Sequence, residues 1–137
     1  MKNTAEIISL LFFLGALLPP FWGLYMIRLD SKLIINRIFL LLSLALSVWL
    51  LGFAMANSQS TVEVALLWRR FAAIGWTSIF SLILHFFLLI TDDSRESPFC
   101  TFRPLLYIPS LILMFVYSFS NKMSAVQYNL IKLDTGW

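Results

Sequence analysis

The chain has 137 residues, of which 60% are hydrophobic, 16% aromatic and only 12% charged, with a net charge of +3 and a positive mean hydropathy. A soluble domain averages about 25% charged residues, and a core this small could not hide so many Leu, Ile and Phe side chains, so lipid is their expected solvent. Basic residues scattered at helix ends exclude a nucleic-acid-binding stripe, and the lone cysteine, Cys100, excludes a disulfide framework or a thiolate metal site.

The first apolar run covers residues 7–27. It could be mistaken for a secretory signal, since Lys2 precedes it. But Pro19-Pro20-Phe21-Trp22 stands where a small-residue cleavage site would be, and the apolar run continues past it, so a retained first helix is expected. Gly15, Pro19 and Gly23 recur at i, i+4 and i+8, giving a small face that can approach a neighbour closely. Pro19 and Pro20 cannot donate backbone hydrogen bonds, which predicts a kink and makes the pair a candidate hinge.

Arg28, Asp30, Lys32 and Arg37 mark a short basic turn before a second span at residues 36–57. Asn36, Ser43, Ser47 and Ala54 repeat at four or seven along it, a small and polar stripe expected to face other helices. A polar loop follows, and Ser60 with Glu63 fits a capping box for the third helix. The third span is placed at residues 69–91. From Phe71 to Thr91 no charge interrupts about 21 residues, enough at ~1.5 Å per residue to match a ~30 Å hydrocarbon layer. Residues 92–98 form a charged loop, and a fourth, shorter span is expected at residues 104–121. The fold class is therefore all-α: a single integral membrane helical bundle of about four spans. Three cations against one aspartate in the first turn place that turn in the cytoplasm and the N-terminus outside the cell membrane.

Within the third span Ser78, Ser81 and His85 lie at i, i+3 and i+7, and polar groups in hydrocarbon must meet partners, so this face is expected to point inward. His85, the only histidine, is the candidate sensing or coupling residue, with Ser81, Ser78 and Trp76 beside it. A metal site needs several donors, and no second histidine or intramembrane carboxylate is present, so neither metal nor cofactor is expected. Trp68, Arg69 and Arg70 form an interfacial anchor that could also contact an anion. No phosphate-binding glycine motif, nucleophile elbow or paired intramembrane carboxylates occur, so enzyme activity is not expected.

The ordered set Asn36-Arg37-Ile38-Phe39, Trp49-Leu50-Leu51-Gly52-Phe53, Leu67-Trp68-Arg69-Arg70-Phe71, Gly75-Trp76 and Leu84-His85-Phe86-Phe87 resembles the N-terminal seven-transmembrane sensor region of bacterial histidine kinases, which also precedes diguanylate cyclase domains. The resemblance spans roughly residues 5–120. It implies an input domain in the bacterial inner membrane that responds to a small-molecule stimulus and biases a cytoplasmic output domain. The family has seven spans and an effector, whereas four spans are expected here, without a phosphoacceptor box, kinase glycine motif or cyclase signature. A truncated module that assembles with another chain or as a homodimer is the resulting expectation. A small four-helix transporter or channel is the alternative.

Overall fold

The structure, a computed structural model, describes residues 2–91 and 103–119. The charged loop, Cys100, residues 120–121 of the expected fourth span and the C-terminal tail lie outside the described residues. Four α-helices follow one another: α1 (Lys2–Leu29), α2 (Ile34–Ser58), α3 (Val62–Thr91) and α4 (Ile108–Phe119), the last entered through a 3₁₀ turn at Arg103–Tyr107. Thr4–Leu29, Ile34–Ser58 and Val62–Thr91 are each long and apolar enough to cross a membrane. Pro104–Phe119 is apolar but shorter, as the fourth run of the sequence was expected to be, so three long helices are followed by one short one. α3 begins well before its charge-free stretch, because the helix runs on through Trp68, Arg69 and Arg70. It also begins at Val62, with Thr61 rather than Ser60 preceding it and Ala65 N–H donating to the Thr61 carbonyl at 3.1 Å, which moves the helix start one residue past the expected capping box.

The connections are short, so sequence neighbours become spatial neighbours. Between α1 and α2, Asp30 Oδ1 accepts from Lys32 N–H at 2.8 Å, and Asn36 Nδ2 donates to the Asp30 carbonyl at 2.8 Å. Arg37 Nε donates to the Ser31 carbonyl at 2.9 Å, which folds the basic turn back onto itself. Packing then proceeds serially, α1 on α2, α2 on α3 and α3 on α4. Among the described residues no substantial contact closes a ring, so the expected bundle is an open row of helices. Its outer surface is apolar. Leu11, Leu18, Phe21, Phe80, Phe115 and Phe119 are all more than 60% exposed, a pattern that water would penalise and acyl chains would not.

Small residues set the spacing. Ala54, Ala56, Ala65, Ala72 and Ala73 of α2 and α3 are almost completely buried, Ala54 where Ser9 of α1 donates to its carbonyl at 2.6 Å. A Cβ on Gly52 would fall 2.6 Å from Ala72 Cβ, and one on Gly75 would meet the Ala45 carbonyl and fall 2.6 Å from Trp49 N. On the other side of α2, a Cβ on Gly23 would lie 2.9 Å from Leu40 Cδ1 and 3.0 Å from Ser43 Cβ, so the anticipated small face of α1 is real there. At Gly15 the nearest atom would be an ordinary 3.7 Å away. Ile38, Ala45, Ile79 and Leu82 form the buried cluster between α2 and α3, and Trp49, Phe86 and Tyr107 pack on it.

The candidate hinge Pro19-Pro20 lies inside the continuous helix α1. Pro20 has no N–H, so the Ala16 carbonyl four residues earlier loses its intrahelical donor. Ser47 Oγ of α2 donates to that carbonyl at 2.6 Å, which ties the proline turn to its neighbour. This makes the pair a docking point of α1 on α2. Ser47→Ala is expected to cost about 1 kcal/mol in an otherwise unaltered chain and close to nothing in a Pro20→Ala background, where the restored backbone N–H would take over. Unfolding of the four members of this cycle in mixed micelles measures it; equal costs in both backgrounds would remove the link between Pro20 and Ser47.

Candidate functional site: a polar seam and an aromatic cleft

The inward stripe of α3 is Thr77, Ser81 and His85, at i, i+4 and i+8, all buried. Ser78, expected on this face, sits one position round the helix, only partly buried, and its Oγ donates to the Ile74 carbonyl of its own helix at 2.7 Å. The helical advance of 100° per residue explains the exchange: faces i, i+3, i+7 and i, i+4, i+8 adjoin, and tertiary packing chooses between them. Thr77 Oγ1 is satisfied locally by donating to the Ala73 carbonyl at 2.6 Å.

Partners for the stripe come from the 3₁₀ turn and α4, which runs antiparallel to α3. His85 Nδ1 is 2.6 Å from Tyr107 Oη, and the two rings meet edge to face with centroids 5.8 Å apart. Ser81 Oγ lies 2.6 Å from the Leu106 carbonyl and 2.5 Å from Ser110 Oγ. Ser110 Oγ in turn lies 2.7 Å from the Thr77 carbonyl. The donor that a 3₁₀ pattern would offer to Leu106, three residues on, is Pro109, which has no N–H. As at Pro20, a serine from the adjacent helix turns to a carbonyl that proline has deprived of a donor.

Proton counting gives the seam its character. Two serine hydroxyls carry one hydrogen each, yet three oxygen pairs lie at hydrogen-bond distance. Only two of the three can hold a hydrogen at once. The two serines can donate outward to the Leu106 and Thr77 carbonyls, or one can donate to the other while the chain of bonds runs either way along α3 and α4. These arrangements differ by hydroxyl rotation and by the small shift that relieves whichever pair lacks a hydrogen.

The other predicted residues are dispersed. Trp68 stacks edge to face on Phe71 of its own helix, centroids 5.7 Å apart. The backbone carbonyl of Arg70 accepts from Ser118 Oγ at 3.2 Å, a second tether for α4. Arg69 turns toward α2, its guanidinium carbon 4.1 Å above the Phe53 ring and Nη2 3.4 Å from Asn57 Oδ1. Beside it a cleft of about 530 Å³ opens between α2, α3 and α4, walled by Trp49, Phe53, Trp76 and Tyr117. Trp76 meets Tyr117 edge to face at 5.0 Å. Trp76 and Arg69 therefore belong to the cleft, while Ser81 and His85 belong to the seam. Among the described residues no three His, Cys, Asp or Glu side chains converge in a way that could hold a metal.

Thr77, Tyr107 and Ser110 were not anticipated. The spacing Thr77, Ser81, His85 could have nominated Thr77; nothing local in the sequence pairs Tyr107 or Ser110 with α3. Comparison of the chain with protein-family models, with curated proteins and with solved structures gave no match.

Proposed function

We propose that this chain is a membrane-embedded sensory or input module of a bacterial signal-transduction protein, acting in the inner membrane with its N-terminus outside. In this reading α4 completes a fourth crossing. Its 12 α-helical residues at ~1.5 Å each and the 5-residue 3₁₀ turn at ~2.0 Å each reach roughly 28 Å, close to a ~30 Å hydrocarbon layer. The output domain is supplied by another segment or chain, and the unpartnered apolar flanks of the open row leave room for further helices.

The observation that carries the reading is the seam between α3 and α4. An input module needs an element with two packings of similar energy that a stimulus can bias. Three oxygen pairs sharing two hydrogens supply alternatives of that kind, and they lie at the attachment of α4, an end helix of the row that packs substantially on α3 alone among the described helices. His85 and Tyr107 hold the end of the same joint.

Spin labels at Phe87 and Phe115, both exposed, would report the position of α4 along α3 in lipid nanodiscs, with Cys100 replaced by serine. Two distance populations are expected. Ser81→Ala, which removes one hydroxyl, should change their ratio roughly fivefold, the equivalent of one hydrogen bond of about 1 kcal/mol. A single narrow distribution, identical in both proteins, would sink the proposal.

A further inference from the structure

We infer that the cleft between α2, α3 and α4 binds a lipid-soluble quinone, its ring between the aromatic walls and its carbonyl oxygens accepting from the indole N–H groups of Trp49 and Trp76. The inference goes beyond the sensory reading and shares with it only the placement of the helices in a membrane. The cleft is of ligand size, about 530 Å³ against the usual ~300–1,000 Å³. Its walls are rings: Trp49 and Phe53 from α2, Trp76 and Phe80 from α3, and Tyr117 from α4. Arg69 closes the loop end with its side chain already engaged, over Phe53 and beside Asn57.

Two donors of this cleft lack acceptors. Neither the Trp49 nor the Trp76 indole N–H makes a hydrogen bond among the described residues. An indole N–H ordinarily finds water or a carbonyl, which is why tryptophan collects at the boundary between membrane and water. These two lie deeper. Trp76 is eight residues beyond Trp68 along α3, roughly 12 Å further from the interfacial group. Trp49 is level with it, since a Cβ on the adjoining Gly75 would fall 2.6 Å from Trp49 N. In hydrocarbon at that depth an N–H without an acceptor costs free energy, and no water is there to offset it.

The occupant must bring acceptors and a flat face to that depth. Acyl chains carry no acceptor, and phospholipid ester carbonyls stay by the headgroups. A quinone has both features: a planar conjugated ring that packs against aromatic walls, and carbonyl oxygens at opposite edges, one for each helix. The walls are already set for such packing. Trp49 meets Phe53 at 88° with centroids 6.0 Å apart, and Trp76 meets Tyr117 at 71° and 5.0 Å. An indole nitrogen donates and never accepts, so its match is a head that offers acceptors only. Phe80, 69% exposed, marks the side on which the cleft opens to lipid, where the hydrocarbon tail of a quinone leaves the site.

Proton–nitrogen NMR of the indole groups tests this on the full chain in phosphatidylcholine nanodiscs, with a decyl-substituted para-benzoquinone as the probe. The Trp49 and Trp76 N–H protons are expected to move downfield and saturate, while those of Trp22 and Trp68 stay in place. Decylbenzene, with a ring and the same tail but no carbonyls, should give no downfield shift. Trp76→Phe keeps a ring in the wall and removes the donor, so it should weaken quinone binding about fivefold, the worth of one hydrogen bond. Trp49→Phe should do the same, and Trp22→Phe should leave binding unchanged. An equal response to decylbenzene, the lack of a saturable shift, or an affinity untouched by both cleft variants would overturn the site. A water-soluble gadolinium chelate separates the site from the membrane placement. It should broaden the Trp68 resonance far more than that of Trp76, and equal broadening would remove the placement and the quinone site with it. If neither cleft variant folds, the comparison of quinone with decylbenzene on the unaltered chain decides the matter alone.

Discussion

Gly75→Leu is expected to force α2 and α3 apart and to leave little folded protein in detergent or lipid. Even a bare Cβ at this position would meet the Ala45 carbonyl and Trp49 N, which are backbone atoms and cannot swing aside as a flexible side chain could. The helices would have to separate along a seam where Ala65, Ala72 and Ala73 are completely buried, uncovering it over several turns. Overpacking a tight core costs about 1–3 kcal/mol for small additions, so Gly75→Ala should fall in that range and the leucine beyond it. Gly15→Ala is the contrasting case. Its Cβ would meet only Leu50 Cδ1 at 3.7 Å, and the gain in helix propensity, up to about 1 kcal/mol, should make it neutral or stabilising. Unfolding in mixed micelles, followed by tryptophan emission, should rank the variants Gly15→Ala, unaltered chain, Gly75→Ala, Gly75→Leu from most to least stable. A Gly75→Ala protein as stable as Gly15→Ala would contradict the close approach of α2 and α3.

Ser110→Leu should release α4 while leaving the other three helices packed. Ser110 is the centre of the seam, buried against the Thr77 carbonyl and Ser81 Oγ. A leucine there brings bulk to the tightest point and removes a hydroxyl, leaving Ser81 with one fewer partner. Among the described residues α4 makes substantial contact with no second helix, so the loss is not shared. The labels at Phe87 and Phe115 should then show one broad distribution, whereas a pair reporting α1 against α2 should be unmoved. The combined cost is expected at about 2–4 kcal/mol for the α3–α4 contact, from overpacking plus a lost hydrogen bond. Ser110→Ala, which keeps the space, should cost only about 1 kcal/mol. A narrow, unshifted distance in Ser110→Leu would mean that α4 is held by something other than the seam.

How much of this was legible in the sequence depends on the length scale of each feature. The three long helices were readable from their long apolar runs, each of a length and composition that could cross a membrane. The small stripe of α2 was readable as a stripe, and Asn36, Ser43 and Ala54 are indeed buried. Which helix it would meet was not readable: Ser47 faces α1, where Pro20 leaves a carbonyl to be met. Ser78 and Thr77 differ by one step around α3, and only the position of α4 decides that Thr77 is covered. His85 was identifiable as a group requiring a partner, yet Tyr107 as that partner depends on the path of the chain after Thr91. Arg69 was grouped with Trp68 and Arg70 because all three adjoin in sequence. Successive helical residues point 100° apart, and only Arg69 reaches the cleft.

The serine that meets the Ala16 carbonyl has a consequence for biogenesis. In the membrane reading proposed above, α1 alone among acyl chains lacks the bond that Pro20 withholds, and an uncompensated carbonyl in hydrocarbon is costly. The debt ends when Ser47 arrives on the following segment. The unit that a translocation channel can hand over at low cost is therefore the hairpin of the first two helices, with the opening helix waiting at the lateral gate for its successor.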